Sequence, residues 1–296
     1  MNFNISKEFI GIIFILLASL SVALLPNSAK FAFSEGTGMM TLLMARGLIG
    51  LFMLTSLLII TGSSFHLPRS LVLISIVNAI LALGMIVALY FAIYYIDISL
   101  SILILCLFPV VIAIILHFQG LEYVSLIQWI FITLVLIGLS LLILNDDSSI
   151  SILGIFFSVM GMICAVITTL LSNKLTNQIG ALTTTFYLTL WGFIILLLLL
   201  FFTNDYSPPQ TKLGWVAIFI NGTFNIGAWA FFFAGMQRIG ATRASMLTSV
   251  DPIFAAIIAY ILFDQFFSIP QWVGFFLVII SLFCFEYFKK KVNILG

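Results

Sequence analysis

The stretch Phe108-Pro109-Val110-Val111-Ile112-Ala113, with Ser125 and Gln128-Trp129 behind it, returns 143 positions later as Asp251-Pro252-Ile253-Phe254-Ala255-Ala256, with Ser268 and Gln271-Trp272 behind it. Working outward, the same offset joins Ile96 to Ile239, Gly84 to Gly227, Asn78 to Asn221 and, near the start, Gly11 to Gly154. The chain therefore reads as two similar halves in tandem, residues 1–147 and 148–296.

Composition says what surrounds those halves. The 296 residues are 63% hydrophobic and 7% charged, with mean hydropathy +1.31, whereas soluble domains carry about 25% charged residues. No water-soluble core of this size hides so much apolar surface. Apolar runs of about 20 residues, enough to cross a hydrocarbon layer of about 30 Å, recur along the chain. They predict helices near 9–29, 38–60, 69–93, 98–117, 124–144, 151–173, 181–202, 212–236, 241–263 and 270–288. The runs are continuously apolar rather than alternating, which favours helices over barrel strands. The expected fold is thus an all-α integral membrane protein of ten transmembrane helices, five per half.

Five is odd, so the second half enters the membrane from the opposite side and the repeat is inverted, an architecture that points to a transporter. With the N-terminus inside, Lys7, Arg69, Lys174, Arg238, Arg243, Lys289, Lys290 and Lys291 fall on the cytoplasmic side and only Lys30 and Lys212 outside. That asymmetry predicts cytoplasmic N- and C-termini and reads the basic residues as topology anchors. The first apolar stretch is longer than a secretory h-region, and Asn27-Ser28-Ala29 lacks the small residue two before a cleavage-site Ala, so it reads as a permanent helix. Cys106, Cys164 and Cys284 lie in apolar spans without metal-ligand spacing and read as small core residues.

Pro109-Val110-Val111-Ile112-Ala113, Glu122, Gln128-Trp129 and Gly138, repeated as Asp251-Pro252-Ile253-Phe254-Ala255-Ala256, Gln271-Trp272 and Gly274, resemble the EamA-type unit of the drug/metabolite transporter superfamily. Asp251 fills the place of a carboxylate that often precedes the second proline in that family, and Arg46 matches an Arg usual in the second helix. Two departures make the halves chemically unequal: Phe108 stands where the second half has Asp251, and Glu122 is answered by Gln265 with Asp264 one residue early. The resemblance implies helices 1, 3, 4, 6, 8 and 9 around a central path and 2, 5, 7 and 10 outside it. It also implies amino acids or related metabolites as substrates, exported across a bacterial inner membrane. Import of a cationic metabolite such as S-adenosylmethionine, or flipping of a lipid carrier, stands beside that reading.

Polar residues at mid-bilayer are costly, about 2.5–3.5 kcal/mol per charge on insertion scales, so they face the bundle interior. Asp251 is the leading candidate for a protonatable or cation-binding group; its alternative is a structural partner for Arg46. Asn221, Asn225 and Trp229 recur at i, i+4 and i+8 on helix 8, so two amides and an indole share a stripe that could hold a polar head against a flat group. Asn78, Tyr90 and Tyr94 answer more weakly on helix 3. The plain alternative for the asparagines is interhelical packing. Thr168, with Thr169 and Ser172, faces a cavity or bonds back to its own helix. Pro109 and Pro252, inside helices 4 and 9, each remove a backbone hydrogen bond and bend the helix, either for gating or for static shape. Arg46 attracts an anionic group or plays a structural, gating role. His117 and His66 read as interface residues, with a proton relay as the alternative for His117, and Trp129 and Trp272 as part of an aromatic belt.

No HExxH, Ser/His pair or metal-ligand cluster suggests an enzyme, and no GxxxxGK[ST] loop suggests ATP-driven movement. The expected partners are a small-molecule substrate, the lipid bilayer and a proton gradient if transport is coupled. No cofactor, metal or nucleic acid is expected, and the chain reads equally as monomer or homodimer.

Overall fold

The computed structural model of the chain describes residues 7–96, 101, 104, 105, 107–121, 124–143, 151–203, 206–251, 253, 254, 257, 258 and 268–295. Among them every regular element is a helix: α1 Lys7–Ser34, α2 Met39–Thr61, α3 Arg69–Tyr95, α4 Phe108–Phe118, α5 Leu126–Ile143, α6 Ile152–Ile179, α7 Ala181–Thr203, α8 Lys212–Ile239, α9 Ala241–Leu247 and α10 Ile269–Leu295, with a 3-10 turn over Thr248–Val250. Six of them (α1, α2, α3, α6, α7 and α8) have the length and hydropathy to cross a bilayer, and α4, α5 and α10 carry shorter apolar segments. The all-helical, two-repeat membrane architecture expected from the sequence is the one observed.

Several helices run past their apolar spans. The sequence predicts helix 6 to end near 173, yet α6 continues through the polar Asn173-Lys174-Leu175-Thr176-Asn177-Gln178 to Ile179. Thr176 holds that extension by donating to the Ser172 carbonyl at 2.8 Å, and its own carbonyl accepts from Gln237 Nε2 at 3.0 Å. At the end of α2, Gly62 adopts φ 62°, and the Ser63 N–H reaches back to the Leu58 carbonyl at 3.0 Å. This left-handed closure, easiest for glycine, caps the helix and turns the chain at Ser63-Ser64.

The chain forms two compact units, Met1–Leu83 with Thr168–Gly240, and Gly84–Ile167 with Ala241–Gly296. Neither is a sequence half: each gathers helices that the 143-residue offset relates, α2 with α7 in the first and α5 with α10 in the second.

In the first unit α1 lies antiparallel along α8. A Cβ on Gly235 would stand 2.6 Å from Ile15 Cδ1, and Ala32 and Leu42 pack with Ala217 and Ile218. α2 packs on α8 through Leu54, Ile226 and Ala230, and on α7 where Gly47 meets Phe193. The α1–α2 and α7–α8 connections are tied together: Gly38 N–H donates to the Ser207 carbonyl at 2.8 Å, Ser207 N–H to Thr41 Oγ1 at 2.9 Å, and Thr211 Oγ1 bonds the Glu35 carboxylate.

In the second unit α5 and α10 pair around Val135, Leu139 and Val278, while α4 and α9 meet near Ala113 and Met246. All seven residues of α9 are buried.

Candidate functional site

With about 3.6 residues per turn, Asn221, Asn225 and Trp229 stay on one side of α8, as the sequence spacing implies. Asn221 and Asn225 are buried, 2% and 9% exposed, and Trp229 is half-buried with its ring 5.5 Å from Phe233. Asn221 also serves as interhelical glue: its Nδ2 donates to the Leu25 carbonyl at 3.0 Å and to Ser28 Oγ at 2.9 Å, both on α1. Because a carbonyl only accepts, this bond fixes the amide orientation. The Asn221 Oδ1 is buried and accepts no hydrogen bond among the described residues. A buried acceptor without a donor carries a desolvation cost of about 1–3 kcal/mol.

Asn78 repeats the arrangement. Its Nδ2 lies 2.9 Å from Ser172 Oγ on α6, and its Oδ1 is likewise buried without a partner among the described residues. One turn before Ser172, Thr168 is 2% exposed and its Oγ1 makes no hydrogen bond there, so it does not bond back to its own helix. The first unit thus brings together Asn221, Asn225 and Trp229 on α8, and Asn78 with Ser172 and Thr168 between α3 and α6. Arg46, also in this unit, is half-buried in α2.

Asp251 and Pro109 belong to the second unit. Asp251 is half-buried and follows the 3-10 turn, its backbone N–H donating to the Thr248 carbonyl. Pro109 occupies the first turn of α4 rather than a helix interior, since the chain breaks at Leu107. There its missing N–H leaves no intrahelical bond unmade. Leu107 and Val250, the last residue of the 3-10 turn, are repeat counterparts, so regular α-geometry is interrupted just before both matched prolines. Pro252 itself, Glu122 and the side chains of Tyr90 and Tyr94 lie outside the described residues. His117 has a local role: its Nδ1 accepts from the Val124 N–H at 3.3 Å, and its ring meets Trp129 edge-on.

The sequence reading missed a cleft of about 810 Å³ in the first unit, bordered by α1, α2, α8 and the α6–α7 turn. It lies on the side of α8 opposite the asparagine stripe, lined by Phe224, Gly227, Phe231, Ala234 and Arg238. Arg238, read from sequence as a topology anchor, folds back here. Its guanidinium donates to the Ala234 carbonyl at 2.6 Å and sits 4.8 Å from the Phe14 ring centre.

A family model described as "EamA-like transporter family" matches residues 9–144 and again 152–287, two copies in the register of the internal repeat. An uncharacterized transporter, YetK of Bacillus subtilis (strain 168), is 25% identical over 151 residues, 50% of this chain and 46% of YetK, so the match spans about half the length of that curated relative. A crystal structure, described as "Crystal structure of protein", superposes with a TM-score of 0.75 at 15% identity over 93% of this chain and 95% of its own, a likeness of fold. With the repeat, six described helices long and apolar enough to cross a membrane, and two family matches covering nearly all of its length, the chain belongs to the EamA-like transporter family.

Proposed function

We propose that the protein is a gradient-driven carrier that exports amino acids or related small metabolites across the bacterial inner membrane by alternating access, with both termini cytoplasmic. The observation that carries the substrate side of this reading is the buried Oδ1 of Asn221, which has no partner among the described residues. A fixed acceptor in a dry setting selects a ligand with an N–H donor, most strongly a charged ammonium. Asn225 and Trp229 extend the same stripe with a second amide and a flat apolar face, which suits an amino acid carrying an apolar or aromatic side chain. The interruptions before Pro109 and Pro252 support movement of α4 and α9, since discontinuous helices supply binding and rocking elements in inverted-repeat carriers. Asp251, beside one interruption, is the proposed proton-exchanging group.

Acceptor-rich chemistry also favours a second reading, import of a sulfonium or ammonium metabolite such as S-adenosylmethionine. Uptake into proteoliposomes of labelled amino acids and S-adenosylmethionine, with and without an imposed pH gradient, separates the two. Accumulation of an amino acid that Asn221→Leu loses supports the first reading. Accumulation of S-adenosylmethionine alone supports the second, and uptake of neither by folded protein removes both.

A further inference from the structure

We propose that the cleft between α1, α2 and α8 is a binding site for an anionic phospholipid of the surrounding bilayer. One end of the cleft is polar. Gln237 reaches the Thr176 carbonyl at the end of α6, the chain turns through Gly180, and Thr183 Oγ1 donates to the Ser64 carbonyl at 2.8 Å. Ser63, Ser64, Thr183 and Arg238 therefore gather at that end. Beyond it the walls are mainly apolar, with Phe14, Leu57, Ile226 and Phe231.

The dimensions select a lipid. Along α8 the lining runs from Thr223 to Arg238, a rise of about 22 Å. One bilayer leaflet with its headgroup layer is about 20–22 Å thick. A charged end and a mainly apolar wall, together one leaflet deep, match the length and polarity of a phospholipid.

The charge selects an anion. Arg238 is the one charged residue in the lining, no carboxylate is among it, and no ion pair to Arg238 occurs among the described residues. A topology-anchoring arginine extends into the headgroup layer. Arg238 instead is pinned to the cleft wall by Ala234 and Phe14, leaving most of its five N–H donors for a phosphate. Basic pockets between membrane helices hold anionic headgroups in this way.

Native mass spectrometry of the full-length protein, released from membranes of equal phosphatidylglycerol and phosphatidylcholine, tests the assignment. The wild type is expected to retain phosphatidylglycerol preferentially, and Arg238→Ala to lower that preference about fivefold. Ala234→Phe, which fills the cleft and keeps the charge, is expected to lower retention of both lipids. Arg69→Ala, a basic residue outside the lining, is the control. Equal losses in the Arg69 and Arg238 variants would reduce the effect to diffuse surface charge and overturn the site. Thermal protection by inorganic phosphate equal to that by phosphatidylglycerol would make it a site for a soluble anion. Displacement of the lipid by a transported solute would assign the cleft to the transport path. Either result also overturns the proposal.

Discussion

Asn221 donates its side-chain amide to the Leu25 carbonyl at 3.0 Å, and that one bond determines where its oxygen faces. The residue holds α8 to α1, and on the proposed reading it separately presents an acceptor to substrate. Asn221→Leu is expected to lose about 0.6–2 kcal/mol of stability, the usual contribution of a polar contact between membrane helices. It is also expected to weaken binding of an ammonium substrate roughly tenfold to a hundredfold. Thermal unfolding in detergent reads the first effect and concentration-dependent uptake the second. Full stability loss with unchanged uptake would leave Asn221 as glue alone.

Proton coupling through Asp251 predicts that Asp251→Asn abolishes accumulation driven by an imposed pH gradient, while exchange of labelled for unlabelled substrate persists. A variant that still accumulates substrate under the gradient would remove Asp251 from coupling.

A Cβ on Gly11 would lie 2.6 Å from Ile239 Cγ2, and one on Gly154 would lie 2.5 Å from Ile96 Cγ2. Gly11→Val and Gly154→Val are each expected to cost about 1–3 kcal/mol through overpacking. At Gly192 a Cβ meets nothing within 4 Å, and Ala there is expected to be neutral or to gain up to about 1 kcal/mol of helix propensity. Melting temperatures and monodisperse yield compare the three. Equal tolerance at all positions would contradict the close helix approach.

Orientation is open to direct measurement. In a cysteine-free background, Ser64→Cys and Gln210→Cys place thiols at exposed positions on connections predicted to lie on opposite sides of the membrane. A membrane-impermeant maleimide applied to intact cells is expected to label position 210 and spare 64. The reverse pattern would place the termini outside.

Helix existence was legible because an apolar run long enough for a bilayer has few other uses; helix ends were less so. The segment 174–178 reads as a loop, yet it continues α6, because a helix bonds its own backbone in water as well as in lipid and Thr176 ties it down. The Asn221-Asn225-Trp229 stripe was visible from spacing alone. Its partners Leu25 and Ser28 were not, since no local pattern gives the register of α1 against α8. The cleft escaped for a similar reason. Its signal, Gly227, Phe231, Ala234 and Arg238 at helical spacing, differs from ordinary lipid-facing sequence only by the closing arginine.

The contacts of α1 with α8 bear on descent. Gly11 meets Ile239, and their counterparts Gly154 and Ile96 meet in turn; Ser21 meets Gly227, and Cys164 meets Gly84. When residue i of one copy touches j of the other, and j of the first touches i of the second, the surface is isologous, the signature of a two-fold homodimer. A chain fused from two separate five-helix proteins would keep, inside one polypeptide, the pairing by which they had recognised each other. Residues 1–147 and 148–296 expressed from separate genes should therefore reassemble, whereas Gly11→Val combined with Gly154→Val should keep them apart. Co-purification on a tag carried by one fragment distinguishes these outcomes.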